Sequence, residues 1–234
     1  MPEKERMPMG LGRRQFLHAG LSSALVGLAA GAGIEFAGAG RLSAQTNLSP
    51  DAALQELMAG NQRFAANQST SVQHNLKMLR EKTVDKQEPF AAVLSCADSR
   101  VPVELVFDQT IGQVFVTRVA GNVVTPEIIG SLEYGVAVLG VKALLVLGHS
   151  SCGAVKAAMK TETVPGQISS LYPHLRQAVE ESGGSLDKAI ESNARIQAEL
   201  LRSSSTVIRE AVKGGKLKVQ AGVYDLATGK VTLS

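Results

Sequence analysis

The 234-residue sequence is poor in cysteine, in repeated segments and in net charge. It holds two cysteines, Cys96 and Cys152, which are too few for a domain held together by several disulfides. It shows no internal repeat and no low-complexity tract, which argues against a solenoid or a disordered polar chain. Its hydrophobic content of 44% is typical of a globular chain with a sizeable core.

The weak net charge argues against a further class of function. The formal charge is +3, but residues 1–44 hold five of the 24 Lys and Arg and three of the 21 Asp and Glu. The remainder therefore carries 19 basic and 18 acidic residues, a net charge of +1. Proteins that bind nucleic acids usually carry a strongly basic surface. We therefore expect no nucleic-acid partner.

The first 44 residues have the pattern of an export signal. Arg13 and Arg14 form a twin-arginine motif within residues 12–17. A weakly apolar stretch rich in Ala and Gly follows over residues 19–40, and small residues end it at Ala44. This order predicts a twin-arginine signal peptide that is cleaved after Ala44. We therefore expect a protein exported in its folded state to the periplasm or the medium, with its catalytic domain at residues 45–234.

The same segment is a poor membrane anchor. Five glycines between Gly27 and Gly40, together with the charged Glu35, disfavour a stable spanning helix. No cysteine lies near Ala44, so a lipid-anchored form is not indicated. We expect no membrane anchor after cleavage.

The remaining sequence predicts an α/β fold. Ser49 followed by Pro50 marks a helix start, and this helix with residues 77–82 is predicted to form an N-terminal helical arm. Because the arm has no obvious place on the sheet, a dimer with crossing arms would bury it. Beyond Pro89, short apolar runs alternate with helical segments, which is the pattern of βαβ units.

The pattern gives approximate bounds for each element. Strands are predicted at residues 90–95, 114–119, 143–148 and 217–224, and helices at 102–107, 126–139, 152–160 and 185–212. Residues 163–173 are predicted to be a loop, and residues 216–233 a hairpin. The expected fold is a mostly parallel central sheet of about four strands plus an edge strand, flanked by helices.

Two short clusters carry the chemistry. Residues 96–100 (CADSR) and 149–152 (HSSC) each follow an apolar run predicted to be a buried strand. Because the carboxyl ends of parallel strands face one crevice, Cys96, His149 and Cys152 are expected to meet there. Two thiolates and one imidazole suit tetrahedral zinc with a fourth position left for water, so we expect one Zn²⁺ per subunit. A Cys96–Cys152 disulfide is the alternative in an oxidising compartment, although it would not require His149.

Asp98 and Arg100 allow two arrangements beside such a metal. Asp98 can be a fourth ligand, which closes the site. Alternatively, Arg100 holds Asp98 in a bidentate pair, and a water takes the fourth position. We expect the second arrangement.

These clusters resemble the motifs of the β-class carbonic anhydrases, and the resemblance extends from about residue 54 to residue 224. It implies reversible hydration of CO₂ to bicarbonate and a proton, with zinc as the cofactor. By the same resemblance, Cys96, His149 and Cys152 match the zinc ligands. Asp98 and Arg100 match a catalytic dyad, with Asp98 as the fourth ligand in a closed form.

The resemblance also implies a substrate pocket. Gln87 and the backbone N–H of Gly153 match groups that donate hydrogen bonds to the bound substrate. Phe115, Ala120 and Tyr134 match an apolar wall around CO₂, with Tyr134 supplied by the partner subunit. A homodimer or a dimer of dimers is therefore implied. Ala120 replaces a valine that is common in the family, and the wider pocket this suggests bears on CO₂ selectivity.

Two other functions remain open from the sequence. One is hydrolysis of a CO₂ analogue, carbonyl sulfide or carbon disulfide, on the same fold and metal. The other is a structural zinc protein in which Asp98 is permanently the fourth ligand. A purely structural site would need neither Gln87 nor the Asp98–Arg100 pair, which argues against the second function.

We expect the mature protein to begin at Gln45. The intact mass of protein recovered from the periplasm of a host with a twin-arginine pathway should correspond to residues 45–234. Replacing Arg13 and Arg14 by lysine should leave the uncut chain in the cytoplasm, because the motif is read by the export receptor. Exported protein that retains Met1 would contradict the predicted cleavage.

Overall fold

A computed structural model describes residues 46–71, 83–160 and 163–234. The predicted twin-arginine signal, its cleavage point after Ala44 and residues 77–82 of the predicted arm lie outside these ranges. None of the described helices is both long enough and apolar enough to cross a membrane.

The described residues form a five-stranded sheet with helices around it. The strands are β1 (Ala91–Ser95), β2 (Val114–Arg118), β3 (Ala143–His149), β4 (Lys218–Tyr224) and β5 (Val231–Leu233). The helices are α1 (Pro50–Ala65), α2 (Val103–Val106), α3 (Pro126–Ala137), α4 (Gly153–Lys160), α5 (Tyr172–Glu181), α6 (Leu186–Ser204) and α7 (Thr206–Lys213). Short 3₁₀ turns lie at Ala120–Asn122 and Ile168–Leu171.

The strand order is β2-β1-β3-β4-β5. The four strands β1 to β4 run parallel, and β5 pairs antiparallel with β4 at the edge. Every residue of β1 and β3 is buried, because helices cover both faces of the sheet. Parallel strands covered in this way are composed mainly of apolar residues. The predicted fold class is therefore confirmed.

Alternate residues of the central strands face opposite layers. Val93 and Leu145 pack with α1 and α2 in one apolar cluster, whereas Leu94 and Val146 pack with α3, α6 and α7 in another. A third cluster lies beyond the carboxyl ends of the strands and contains both cysteines. Because both faces of the sheet are covered by apolar clusters, reactive side chains are buried at the carboxyl ends of the strands.

The N-terminal helix begins where the sequence predicts, but its packing differs from the expectation. Ser49 accepts a hydrogen bond from the N–H of Ala52 (3.1 Å) and caps α1. Leu54 and Leu57 are buried in the cluster formed with α2, β1 and β3 of the same chain. The expectation that this helix lacks a place on its own sheet was wrong, because its apolar face covers one side of that sheet.

Two helix bounds also differ from the sequence prediction. The helix predicted over residues 185–212 breaks at Ser205, whose backbone is extended and whose hydroxyl accepts from the N–H of Ile208 (3.0 Å) to cap α7. The predicted loop at 163–173 contains a 3₁₀ turn, and α5 begins at Tyr172 with Pro173 in its first turn. Proline is tolerated there because its missing N–H would have no helical partner.

A buried carboxylate joins α1 to the loop after α2. Asp108 accepts from the guanidinium of Arg63 (2.6 Å) and from the N–H groups of Thr70 (2.8 Å) and Ser71 (2.9 Å). Burial alone would raise the pKa of Asp108, but these donors together hold it below the usual value of a carboxyl group. The pair therefore contributes stability only while Asp108 is ionised.

We expect Asp108→Asn to lower the free energy of unfolding by about 1–3 kcal/mol at neutral pH, because the hydrogen bond from Arg63 and those from the two N–H groups lose their charged acceptor. Because the pKa of Asp108 is depressed in the folded protein, its stabilising effect is complete above the usual carboxyl pKa of about 4 and is lost as the pH falls from there towards the depressed value. The difference between variant and wild type should therefore shrink in acid, as urea unfolding at several pH values would show. Asp51→Asn, which breaks an exposed pair with Lys218, should cost less than about 1 kcal/mol. A pH-independent loss in the Asp108 variant would refute the electrostatic explanation.

Candidate metal centre

Three potential ligands meet at the carboxyl ends of the two central strands. Cys96 directly follows β1, His149 is the last residue of β3, and Cys152 immediately precedes α4. Ser95 of β1 pairs with Leu147 of β3, so the two strands end side by side at the same edge of the sheet. Ser150 is held there, because its N–H donates to Tyr224 O (2.9 Å) and its hydroxyl accepts from the N–H of Leu226 (2.9 Å).

The ligand atoms of Cys96, His149 and Cys152, which we call the metal triad, lie within 4.8 Å of one another. All three side chains are buried, with His149 fully inaccessible to solvent. Both cysteines are free thiols, so the alternative disulfide is absent. A compact, buried set of two sulfurs and one nitrogen matches the ligand chemistry of zinc.

The histidine has one nitrogen free for a metal. Its Nδ1 lies 2.9 Å from Ser150 O, and because a carbonyl only accepts, Nδ1 carries the proton. Nε2 then carries a lone pair and no proton, and it is buried without a hydrogen-bond partner. A buried polar atom without a partner is costly. A cation bound between Nε2 and the thiols would remove that cost, and the backbone partner of Nδ1 is typical of metal-binding histidines.

The surroundings of the thiols favour negative charge. A hydrogen bond from Cys152 lowers the pKa of Cys96 to about 4, against the effect of burial, and the N–H of Gly121 also donates to its sulfur (3.3 Å). The hydrogen bond between the two thiols raises the pKa of Cys152, whereas the N–H groups of Ala154 and Val155 at the start of α4 lower it. Two adjacent thiolates repel each other, so a divalent cation is what allows both to ionise.

Asp98 lies beside the triad in the grip of Arg100. The guanidinium donates to both carboxylate oxygens (2.9 and 2.8 Å), and the backbone N–H of Arg100 donates to Oδ1 (2.9 Å). The carboxylate Oδ2 lies 3.8 Å from His149 Nε2. The Arg100 guanidinium also holds the pKa of Asp98 well below its usual range. The bidentate contact between Arg100 and Asp98 that was expected from the sequence is thus present, whereas a water in the fourth metal position stays a prediction.

Arg118 also contacts the loop, and sequence reasoning missed it. At the end of β2, its guanidinium donates to Cys96 O (3.0 Å) and to Asp98 O (2.5 Å). It therefore ties the loop that carries both residues to the neighbouring strand. An arginine near the end of a predicted strand beside the crevice was the available signal.

The two proposed donors to substrate occupy different surroundings. Gly153 is the first residue of α4 and has open space around the position of a side chain, so its backbone can be approached closely. Gln87 lies in the exposed segment before β1. Within the described residues, no hydrogen bond places its amide at the triad.

The proposed apolar wall divides into two parts. Ala120 begins the 3₁₀ turn whose next residue, Gly121, donates to Cys96, so it lies close to the triad. Phe115 and Tyr134 pack on each other, with ring centroids 6.3 Å apart. Phe115 is in register with Ala92. Ala92 is four residues before Cys96, so Phe115 lies roughly 13 Å from the level of Cys96 along the strand direction.

Comparison with known proteins agrees with this site. A sequence model of the carbonic anhydrase family matches residues 91–231. Carbonic anhydrase 2 of Mycobacterium tuberculosis is 35% identical over 199 residues, covering 80% of this chain and 94% of that protein. The chain belongs to the carbonic anhydrase family. A carbonic anhydrase of Mycolicibacterium smegmatis is 34% identical over 195 residues, again covering 80% of this chain and 94% of the relative.

Solved structures place it in the β class of that family. A β-carbonic anhydrase of Aspergillus fumigatus superposes with a TM-score of 0.61 at 27% identity, covering 77% of this chain and 90% of that chain. A Coccomyxa β-carbonic anhydrase gives a TM-score of 0.59 at 28% identity, covering 77% and 85%. The β-carbonic anhydrases are zinc enzymes, and the triad is positioned to hold that ion.

Purified wild-type protein should contain one zinc per chain. We expect His149→Ala and Cys96→Ser each to abolish stoichiometric zinc, because each removes one of three protein ligands. Metal analysis after dialysis against a zinc buffer measures this, with circular dichroism to confirm folding. His174→Ala, which alters an exposed histidine on α5, should retain the full zinc content. Full zinc in the folded His149 variant would contradict the assignment.

Proposed function

We propose that this member of the carbonic anhydrase family catalyses the reversible hydration of CO₂ to bicarbonate and a proton at the metal triad. The observation that carries the proposal is the buried Nε2 of His149, which has no hydrogen-bond partner. His149 clusters with two thiols, and its Nε2 lies 3.8 Å from Oδ2 of Asp98, which Arg100 holds. A purely structural zinc site would not need that pair.

Cys96, His149 and Cys152 would hold the ion through two sulfurs and one nitrogen. Zinc bound there supplies Lewis-acid activation of water, which brings the pKa of that water to about 7. The strands and α4 fix the three ligands before metal binding, because each ligand lies at the end of a regular element. Binding therefore requires little reorganisation of the chain.

Asp98 is proposed to orient the attacking water. Its low pKa keeps it ionised at neutral pH, so it only accepts hydrogen bonds. Arg100 occupies one side of the carboxylate through two parallel hydrogen bonds. The remaining lone pairs of Asp98 can accept a hydrogen bond from the water and aim its oxygen at the carbon of CO₂. In this proposal Arg100 keeps Asp98 from serving as a fourth ligand.

The substrate pocket is proposed to be completed by a second subunit. Gly153 and Ala120 lie at the triad of the same chain, whereas Phe115 is separated from it by about four residues of strand. Tyr134 is 45% exposed, and β2 is an edge strand whose residues are only half-buried. A homodimer that packs through this edge would bury Tyr134 and Phe115 and could bring them, with Gln87, to the partner's triad. The resemblance to the family implies that Tyr134 comes from the partner subunit.

The place of action is proposed from the sequence. Arg13 and Arg14, the apolar stretch and the small residues before Gln45 support twin-arginine export to the periplasm or the medium. Export in the folded state would allow zinc to bind before the chain leaves the cytoplasm.

Stopped-flow CO₂ hydration by the zinc-loaded wild type tests the activity. We expect Asp98→Asn to keep its zinc and to lower kcat/KM by about 100-fold or more, because an amide is a poor acceptor for the proton of the water. Glu181→Gln is the matched control, since Glu181 forms another exposed carboxylate–arginine pair with Arg195 at 2.6 Å. The control should have wild-type activity.

The outcomes separate the competing functions. Zinc-loaded wild type that fails to hydrate CO₂ would refute the proposed function, and turnover of carbonyl sulfide or carbon disulfide in its place would identify the alternative enzyme. Wild-type activity in Asp98→Asn would leave the function standing but overturn the role of the dyad.

A further inference from the structure

Two buried amides on α6 lie outside the chemistry described so far. Asn193 and Gln197 are one helical turn apart and are each 1% exposed. Their neighbours on that face of α6, Ala194 and Ala198, belong to the apolar core. A buried amide without partners costs free energy, so the partners of this pair indicate what it does.

The partners are almost all backbone groups at the carboxyl end of the sheet. Asn193 Nδ2 donates to Gly121 O (2.8 Å), and Gln197 Oε1 accepts from the N–H of Val124 (2.8 Å). Gln197 Nε2 donates to His174 O (3.1 Å) and to Asn193 Oδ1 (3.1 Å). The two amides therefore grip both ends of one turn, residues 121–124, and orient each other.

That turn is the part of the chain that contacts Cys96 from the side. Gly121 N–H donates to Cys96 Sγ (3.3 Å), while its carbonyl accepts from Asn193. The turn belongs to no strand, and Gly121 and Asn122 both have positive φ. A Cβ on Gly121 would lie 3.4 Å from both Ala154 and Leu175. The position of the turn is thus set by side-chain contacts and hydrogen bonds from other elements.

We propose that Asn193 and Gln197 are positioning residues for the metal triad, acting through the Gly121 turn on the Cys96 thiolate. This inference rests on the proposed zinc site. A hydrogen bond to a metal-bound sulfur orients the ligand and reduces its electron donation to the ion, and such outer contacts commonly change metal affinity 10- to 100-fold. The amide pair connects helix α6 to the metal although neither residue touches it.

The test compares this pair with an equally buried asparagine elsewhere. Asn61 on α1 is 3% exposed, donates to Val106 O (3.0 Å) and Gly229 O (2.8 Å), and accepts from the N–H of Val231 (2.8 Å). It lies on the opposite face of the sheet from Asn193. Asn61→Leu should therefore cost stability without altering the metal site.

Zinc affinity is measured by competition with a chelator, and Co²⁺ is substituted to observe the thiolate-to-metal absorption bands. We expect Asn193→Leu to weaken zinc binding about 10-fold and to shift those bands, whereas Asn61→Leu leaves both unchanged. Gln197→Met is the second variant, in case Asn193→Leu does not fold. It leaves the Asn193 donor in place but frees Val124 and removes the partner of Asn193 Oδ1, and we expect a smaller change in the same direction.

Each outcome decides between explanations. Wild-type affinity and spectrum in a folded Asn193 or Gln197 variant would overturn the proposal. An equal change in Asn61→Leu would also overturn it, because general destabilisation would then explain the effect. Wild-type protein that binds neither zinc nor Co²⁺ would instead refute the metal site itself.

Discussion

Both the fold and the metal site are built on the parallel pairing of β1 with β3. Ala91 lies opposite Ala143 and Ser95 lies opposite Leu147, so the two strands end side by side at the same edge of the sheet. Cys96 and His149 then lie next to each other although they are separated by more than fifty residues of sequence. The pairing is stable because both strands are buried along their whole length, are apolar up to their last one or two residues, and are covered on both faces. Shifting that register would separate the ligands and expose core residues, so the same contacts maintain the fold and the metal site.

Burial at the strand ends gives the site its chemistry. The third apolar cluster surrounds both cysteines, so polar groups there need internal partners. The thiols receive N–H groups from Gly121 and from the first turn of α4, and His149 donates through Nδ1 to Ser150 O. The other ring nitrogen of His149, Nε2, has no hydrogen-bond partner. A site arranged in this way is ready for a cation, whereas Asp98, held at the rim by Arg100, keeps access to solvent.

Several features of this arrangement were predictable from the sequence, and others were not. The strands were predictable because apolar runs such as that over residues 143–148 are uninterrupted. The break at Ser205 was missed because α6 and α7 share one helical periodicity, and a single serine cap separates them. The packing of α1 on its own sheet was also missed. Periodicity shows that Leu54 and Leu57 are to be buried, but it does not show against which surface.

The ligand types, their places at strand ends and the α/β class could be inferred from the sequence, because residue chemistry and hydrophobic period are local properties. The pairing of Asp98 with Arg100 could be inferred as well, since they are two residues apart. The distant groups that hold the ligands in place could not be inferred, because they come together only when the elements pack. Arg118 donates to a backbone carbonyl of the Cys96 loop, whereas Asn193 and Gln197 bond to backbone groups of the Gly121 turn. Such contacts depend on the packing of elements that are distant in the sequence. The separation of Phe115 from the triad is likewise a consequence of strand register, which is a property of two strands together.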